Sequence, residues 1–258
     1  MTRTPYTVTA PEGQVKLVIM NATDGLPAAF ALMGTRAERK VALRLAGGCK
    51  GMDADDKASM IAFFEEAFAG FRGLVWSGGT RAVKDGEIDI MVTDVPGVIA
   101  AGNPGSVALG TTPRTDMLRL QGESRLVIDE WGQMLNPDMS GILVVQNGPD
   151  GDMDWDGDLD AYFKLMENWQ KFGAFKALGL IAWNGGGVTR TEIIRAAKKK
   201  WPVILVKGSG RATDKIIDGL EAEDTALIEE LGTDAQIYIV TDPGEMRNVL
   251  MDTGFLSE

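Results

Sequence analysis

The chain has 258 residues, 45% of them hydrophobic, which is enough for one large α/β domain with a buried core. It has no histidine and a single cysteine, which excludes the usual histidine general base, histidine metal sites, an internal disulfide and a thiolate zinc cluster within one chain. A formal net charge of −11 opposes a nucleic-acid partner, and no apolar stretch approaches the roughly 18 residues needed to span a bilayer.

The first 40 residues differ from the rest of the chain. Their pattern predicts an irregular strand pair that leads into the domain, with one strand candidate at 15–20, and their first residues lack the apolar core of a signal peptide. We therefore predict an N-terminal extension over 1–40, packed on a single domain over 41–258. We also expect the protein to be cytoplasmic, without a membrane partner.

Beyond residue 40, an apolar run followed directly by glycines recurs in the sequence. Each run is short and nearly continuous in apolar residues, as expected of a strand buried on both faces of a parallel sheet. The segments are VALRLAGG (41–48), GLVWSGG (73–79), GLIAWNGGG (179–187) and VILVKGSG (203–210). Further strand candidates lie at 106–110, 141–148 and 236–240.

Helical patterns separate these strands. In 53–71, apolar residues recur on one face and aspartates occupy the first turn, where the helix dipole favours negative charge. The other predicted helices are 159–172, 190–200, 212–220, 223–231 and 243–251. Strands that alternate with helices predict a Rossmann-like α/β fold, with a doubly wound, mainly parallel sheet and helices on both faces.

The glycines lie where such a fold binds its ligands. Loops that follow strand C-termini form the ligand crevice of a parallel α/β sheet, and glycine lets their backbone N–H groups approach an anion closely. We expect a phosphate-bearing ligand there, although turns also require glycine simply for positive φ. The predicted ligand-binding residues are Gly47, Gly48, Ser77, Gly78, Gly79, Thr80, Gly185, Gly186, Gly187, Thr189, Gly208, Ser209 and Gly210, with Arg211, Arg114 or Arg81 as the cation for the phosphate.

Thr189 and Glu192 stand three residues apart at the predicted start of the helix after the glycine triplet. This spacing is typical of a capping box, in which both side chains close a helix N-terminus. A helix start preceded by glycines also carries partial positive charge and remains a phosphate site. Glu192 would repel a phosphate unless it faced a sugar hydroxyl or an arginine.

Three motifs, each after a predicted strand, resemble a known superfamily. NGGGVTRTE (184–192) resembles the PGGxGTxxE signature of the Lonely Guy and lysine decarboxylase-like proteins, in the superfamily that also includes DNA-processing protein A. SGGT (77–80) stands where that superfamily has its earlier Gly-Gly turn, and KGSGRATDKI (207–216) is similar to a segment of the ligand-sensor region of melastatin-type TRP channels. The chain most resembles the prokaryotic branch of that ligand-sensor group.

This resemblance implies a Rossmann-like domain that binds a nucleotide-derived small molecule, with ADP-ribose and related NAD products as candidates and no required cofactor. It also implies a homodimer, because related folds commonly pair through helices. The alternative is the activity of the Lonely Guy relatives, which cleave the N-glycosidic bond of nucleoside monophosphates with the motif's glutamate and a nearby arginine. The matching glutamate here is Glu192, which would be the catalytic residue.

The chain departs from that hydrolase motif in ways that bear on catalysis. Asn184 replaces the leading proline, Val188 replaces the later glycine, and only Lys171 is basic where the family has a basic pair. A glycosidase needs a carboxylate to stabilise or attack the developing oxocarbenium ion and a second group to orient it. The sequence therefore favours binding or sensing over hydrolysis.

An aspartate-rich stretch over 150–160 has part of the spacing of a calcium loop. Asp152, Asp154 and Asp156 stand at its first ligand positions, and Phe163 replaces the closing glutamate. The stretch is either a solvated turn that caps the next helix or a weak Ca²⁺ or Mg²⁺ site.

A third function also remains open. Trp131, Trp155 and Trp183 lie near predicted loop edges. There they would suit either a base-stacking pocket or the interface of a non-catalytic adaptor subunit.

Overall fold

The computed structural model describes residues 6–10, 13–21, 37–113, 120–121, 123–124, 132–146, 155–171 and 173–257. The strands in these ranges are β1 Tyr6–Ala10, β2 Gly13–Asn21, β3 Val41–Gly48, β4 Leu74–Gly78, β5 Thr80–Lys84, β6 Glu87–Asp89, β7 Val107–Thr112, β8 Leu120–Gln121, β9 Glu123–Ser124, β10 Gln133–Leu135, β11 Gly141–Gln146, β12 Ala177–Asn184, β13 Val203–Val206 and β14 Ile237–Val240. The helices are α1 Ala54–Ala67, α2 Val95–Gly102, α3 Trp155–Lys171, α4 Gly187–Lys198, α5 Arg211–Glu221, α6 Thr225–Leu231 and α7 Pro243–Asp252, with a short 3-10 helix at Val92–Asp94.

The central sheet has the strand order β1-β2-β11-β7-β4-β3-β12-β13-β14. Every neighbouring pair from β2 to β14 is parallel, and β1 pairs antiparallel with β2 at one edge. The predicted Rossmann-like α/β fold is therefore confirmed. In chain order, β4, β7 and β11 follow one another on one side of β3. The next strand of the sheet, β12, lies on the other side of β3. Open α/β sheets bind their ligands at such a switch point, which here lies between β3 and β12.

Helices cover both faces of this sheet, and each face has its own apolar core. On one face, α3 to α6 pack on alternate strand residues, with Tyr162, Trp169 and Trp76 at the centre. On the other face, α1, α2 and α7 pack on the opposite set of strand residues, with Phe64, Phe68 and Trp183 in their core. Strands covered on both faces explain why their sequences are nearly continuous in apolar residues.

A second, three-stranded sheet in the order β10-β5-β6 projects from the end of β4. Its anchor is the buried guanidinium of Arg81, whose Nε donates to Asp94 Oδ1 at 2.7 Å and whose Nη2 donates to Asp138. Asn136 Nδ2 donates to the same Asp94 oxygen at 3.0 Å. These bonds hold the 3-10 helix against the end of β4.

No helix in the described ranges is long and apolar enough to cross a bilayer.

Candidate functional site

Three of the glycine-containing loops predicted from the sequence meet at the switch point. The loop after β12 lies beside the loop after β3, since a Cβ on Gly48 would stand 3.9 Å from Gly185 Cα. The backbone N–H of Asn184 donates to Ser209 Oγ at 2.9 Å, and Thr213 Oγ1 donates to the Asn184 carbonyl at 2.9 Å. The loops after β3, β12 and β13 therefore form one continuous rim.

The start of α4 is open at this rim. The helix begins at Gly187, its N-cap is Gly186, and no side chain caps it. Within the described chain, the first-turn amides of residues 187–189 have no hydrogen-bond acceptor, and Gly187 and Val188 are exposed. Free amides at a helix start, together with the helix dipole, form an anion-binding site.

The capping-box prediction for Thr189 and Glu192 is wrong. Thr189 is buried and packs over Gly185, whose added Cβ would lie 2.2 Å from Thr189 Oγ1. Glu192 points into the protein interior, as described below. Since neither side chain occupies the helix start, the amides of α4 stay available.

Arg211 lies directly beside this helix start. Its Nη2 atom is 3.2 Å from the position that a Cβ on Gly186 would occupy. The side chain is exposed, and no carboxylate in the described chain pairs with it. Its backbone φ of +48° is a left-handed value that costs a non-glycine residue about 1–2 kcal/mol. The fold therefore holds an unpaired guanidinium over the free amides of α4.

The loop Gly208–Gly210 contributes to the rim in a different way from the one predicted. The amides of Gly208 and Gly210 both donate to the Asp214 carboxylate, at 2.9 Å each, and the Ser209 amide donates to Val206 O at 3.4 Å. An anion would have to displace Asp214 to reach these amides. The loop instead sets the position of Arg211, the first residue of α5.

Two cavities open on either side of Arg211, and both include that residue in their walls. The first, which we call the Asn184 cavity, has a volume of about 650 Å³ and is bounded by Lys50, Asp56, Ser59, Asn184 and Gly208. The second, the Leu227 cavity, has a volume of about 570 Å³ and is bounded by Gly186, Ile216, Gly219, Ala226 and Leu227. Gly185, Gly186 and Gly187, at the start of α4, line the Leu227 cavity, and Arg211 lines both cavities.

The fourth glycine turn, after β4, does not reach this rim. Ser77, Gly79 and Thr80 are buried, and the Gly79 amide already donates to Thr111 O at 2.7 Å. A Cβ on Gly78 would lie 2.9 Å from the Thr93 methyl group. Here glycine permits the close approach of β4, β5 and β7.

Gly47 is also covered rather than open. A Cβ at this position would lie 2.3 Å from the Trp183 carbonyl oxygen and 3.1 Å from the Val92 side chain. Its glycine permits the close pairing of β3 with β12. Gly48, one residue later, remains at the rim.

Glu192 belongs to a buried polar network beneath α4. Its Oε1 accepts hydrogen bonds from Arg44 Nε at 2.9 Å and from the Tyr162 hydroxyl at 2.5 Å, and Arg44 Nη2 also lies 2.9 Å from it. The Arg44 guanidinium stacks over the Tyr162 ring, 4.1 Å from its centroid. Glu192 is 2% exposed and Arg44 6%. Glu192 is a residue predicted from the sequence, whereas its partner Arg44 is not.

Asp158 lies close to this network. Burial raises the pKa of its carboxyl group to about 7, an effect opposed by Arg44 and reinforced by Glu192. Burial also raises the pKa of Tyr162 well above its usual value. One oxygen of Asp158 and Arg44 Nη1 have no hydrogen-bond partner within the described part of the chain.

Cys49 stands next to Gly48 at the rim. Burial raises the pKa of its thiol to about 11. Because the thiolate is the nucleophilic form of cysteine, Cys49 is unreactive near neutral pH.

Several predicted residues fall outside the described residues. Arg114, Asp152, Asp154 and Trp131 are among them, and the backbone of Asp156 and Trp155 belongs to α3 while their side chains are not described. Trp183 is buried against Phe63 and Phe64, with ring centroids 5.3 and 5.4 Å away. It therefore packs in the core beneath the Asn184 cavity and presents no interface to a partner.

Comparison with known proteins places residues 39–248 under the family model described as SLOG in TRPM, prokaryote. Among solved structures, the structural-genomics target TM1055 is 18% identical, with a TM-score of 0.47 over 82% of this chain and 98% of that chain. The molybdenum cofactor carrier protein from Chlamydomonas reinhardtii is 12% identical, with a TM-score of 0.46 over 83% and 98%. No curated protein matches the chain.

Proposed function

The chain belongs to the family described as SLOG in TRPM, prokaryote, and from this membership and the geometry of the rim we propose that it binds a nucleotide-derived phosphate ligand related to ADP-ribose or NAD. The proposal includes a homodimer, as the sequence resemblance implies, and a cytoplasmic protein that needs no cofactor.

The observation that carries the proposal is the unpaired Arg211 guanidinium beside the free amides of α4. Both groups favour an anion, and a guanidinium matches the geometry of phosphate oxygens. The overall charge of −11 makes this local arrangement more selective, because it discourages long polyanions, whereas the Arg211 guanidinium still attracts a small anion.

The two cavities supply room for the rest of such a ligand. Because Arg211 lines both cavities, a diphosphate held by its guanidinium has a separate space for each of its two esterified groups. The Leu227 cavity offers apolar contacts from Ile216, Ala226 and Leu227, which suit a flat base. The Asn184 cavity presents Lys50, Asp56 and Ser59, which suit a hydroxyl-bearing sugar.

Hydrolysis of a glycosidic bond is less well supported. The glutamate that would act on the sugar is enclosed, and its carboxylate already accepts hydrogen bonds from Arg44 and Tyr162. A catalytic carboxylate must lie within about 3 Å of the reacting atoms. The geometry therefore favours binding without turnover.

The test measures ADP-ribose binding by calorimetry with the wild type and the variant Arg211→Gly. Glycine tolerates the left-handed backbone at this position, so the variant should fold while losing the cation. Removing a charged hydrogen-bond donor should weaken binding about 10- to 100-fold. Lys200→Gly is the matched control, because Lys200 is also a cation at positive φ (+57°) and lies in the wall of neither cavity.

Three other outcomes would count against the proposal. Equal affinity of the wild type and Arg211→Gly would show that the phosphate does not bind at the start of α4. Failure of ADP-ribose, NAD and AMP to bind at millimolar concentration would favour the adaptor function. Release of free adenine from AMP would favour the hydrolase.

A further inference from the structure

Asn184 carries a buried hydrogen-bond acceptor with nothing to accept from. It is 3% exposed, and its Oδ1 atom has no partner within the described residues. Leaving such a group unsatisfied is energetically costly, so native structures rarely keep one without a reason. The indole N–H of Trp183, which lines the same cavity, also has no acceptor there.

The Asn184 amide lies inside the Asn184 cavity. Its Nδ2 donates to the Lys50 carbonyl at 3.4 Å on one side. On the other side, Cγ and Oδ1 are each 3.6 Å from the position of a Cβ on Gly210. Lys50 and Gly210 both line this cavity, so the amide spans its floor.

The backbone at Asn184 is adapted to hold this amide in place. Its φ is +55°, a left-handed value that asparagine tolerates better than most side chains. Backbone bonds to Ser209 and Thr213 fix the residue independently of its side chain. Nδ2 is engaged by the Lys50 carbonyl, and Oδ1 is therefore the atom that is free to serve a ligand.

The acceptor also lies close to the phosphate position. Gly210 is the N-cap of α5, and Arg211 is the first residue of that helix. An acceptor this near to Arg211 matches a hydroxyl on the sugar attached to the phosphate, since a base would lie further away. Asp56 and Ser59, which also line this cavity, provide further polar groups for sugar hydroxyls.

We propose that Asn184 selects sugar phosphates, its Oδ1 accepting a hydrogen bond from a sugar hydroxyl in the Asn184 cavity while the attached phosphate lies at Arg211. The inference rests on the proposed function and adds to it the sugar subsite and its specificity-determining residue.

The experiment compares three probes: ADP-ribose, ribose 5-phosphate and inorganic diphosphate. Each is titrated by calorimetry into the wild type, Asn184→Gly and Asp85→Gly. Glycine accepts the backbone of position 184 and removes only the amide. Asp85→Gly is the control, because Asp85 also has positive φ (+54°) and lies in the β5–β6 turn, away from both cavities. Melting temperatures of the free variants report on their folding.

We expect Asn184→Gly to bind ADP-ribose and ribose 5-phosphate about five- to tenfold more weakly than the wild type, as for the loss of one hydrogen bond. Its affinity for diphosphate should not change, and Asp85→Gly should match the wild type with all three probes. A purely structural role for Asn184 would weaken all probes equally, which would overturn the inference.

The remaining outcomes separate this inference from the proposed function. If the wild type binds ADP-ribose and Asn184→Gly binds it equally well, the sugar subsite is wrong and the proposed function stands. If affinity falls for ADP-ribose and not for ribose 5-phosphate, Asn184 contacts the base and the sugar assignment is overturned. If the wild type binds none of the probes, both proposals fail.

Discussion

The Arg211 guanidinium fills the space that a side chain on Gly186 would need, with Nη2 3.2 Å from the Cβ position. The contact joins the N-cap of α4 to the first residue of α5. Gly186 thus has a specific role, because its bare backbone lets a cation lie across the free end of a neighbouring helix. The φ of Gly186 is −132°, so this glycine is not required by the backbone conformation.

This contact predicts that Gly186→Ala will weaken ligand binding without unfolding the chain. The added methyl group meets only the far end of a flexible side chain, so Arg211 can move aside at little cost in stability. We expect the affinity for ADP-ribose to fall about tenfold, close to the loss from a displaced charged hydrogen bond, and the melting temperature to change little.

Gly102→Ala provides the control for this variant, because a Cβ there meets nothing within 4 Å and the position lies at the end of α2. A Gly186→Ala protein that keeps full affinity would show that the present position of Arg211 is unimportant for the ligand.

Glu192→Gln should lower the stability of the fold. The change leaves the buried Arg44 guanidinium without its main counter-charge, and breaking a buried ion pair in this way costs about 3–5 kcal/mol. Urea denaturation of the two proteins measures the difference. The matched control is Glu230→Gln, since Glu230 pairs with Arg190 at the solvated surface, where an ion pair contributes little to stability.

The same variant tests the hydrolase alternative. Should Glu192→Gln retain wild-type stability and abolish a measurable release of adenine from AMP, Glu192 would be catalytic. The buried network would then require a different explanation.

The stability of the protein should depend on pH through Asp158. Its pKa is about 7 in the folded chain and about 3.9 in an unfolded one. Between these values the folded state binds a proton that the unfolded state has released, so the contribution to stability is fully present below about pH 4 and is lost as pH rises to about 7. The slope approaches about 1.4 kcal/mol per pH unit.

Asp158→Asn isolates this effect because the amide has the same shape and does not ionise. We expect the free energy of unfolding of the wild type to fall relative to the variant between pH 5 and 7, and the difference to level off above pH 7. Urea titrations at pH 5, 6, 7 and 8 would detect it. Parallel profiles for the two proteins would contradict the raised pKa of Asp158.

The sequence predicts the fold well because its signals are local. The segments 41–48 and 203–210 each begin with a short apolar run and end in glycines. In the structure a strand begins at the first residue of each segment. The alternation of strands with helices then determines a parallel sheet, which brings the loops after β3, β12 and β13 to one edge.

The role of each loop depended on contacts that its glycines do not reveal, one of them distant in the sequence and the other local. The turn after β4 is covered because β5 pairs with β10, some fifty residues later. Asp214 occupies the amides of the GSG loop. Neither contact has a signature in the local sequence, so glycine alone could not separate an open loop from a covered one.

The buried network around Glu192 did leave one signal in the sequence. Arg44 stands inside an otherwise apolar strand, and an arginine buried in a core needs a partner. The partner itself is 148 positions away in the sequence. Asn184 likewise stood out only as a departure from the family motif, while its unsatisfied acceptor becomes visible only in three dimensions.

The turn after β4 gives the last prediction, which concerns Gly79. A Cβ on this residue would lie 2.8 Å from the Ile142 side chain and 3.4 Å from the Thr111 amide, where the Gly79 backbone already packs against Gly110. Gly79→Ala therefore forces the β4–β5 turn away from the Ile142 side chain and from β7, and should cost about 1–3 kcal/mol of stability. Because the turn lies in the wall of neither cavity, the affinity of the folded variant for ADP-ribose should equal that of the wild type. Urea denaturation and calorimetry on Gly79→Ala and Gly102→Ala measure both quantities. Loss of affinity at unchanged stability would instead place the β4 turn at the ligand and restore the four-loop rim expected from the sequence.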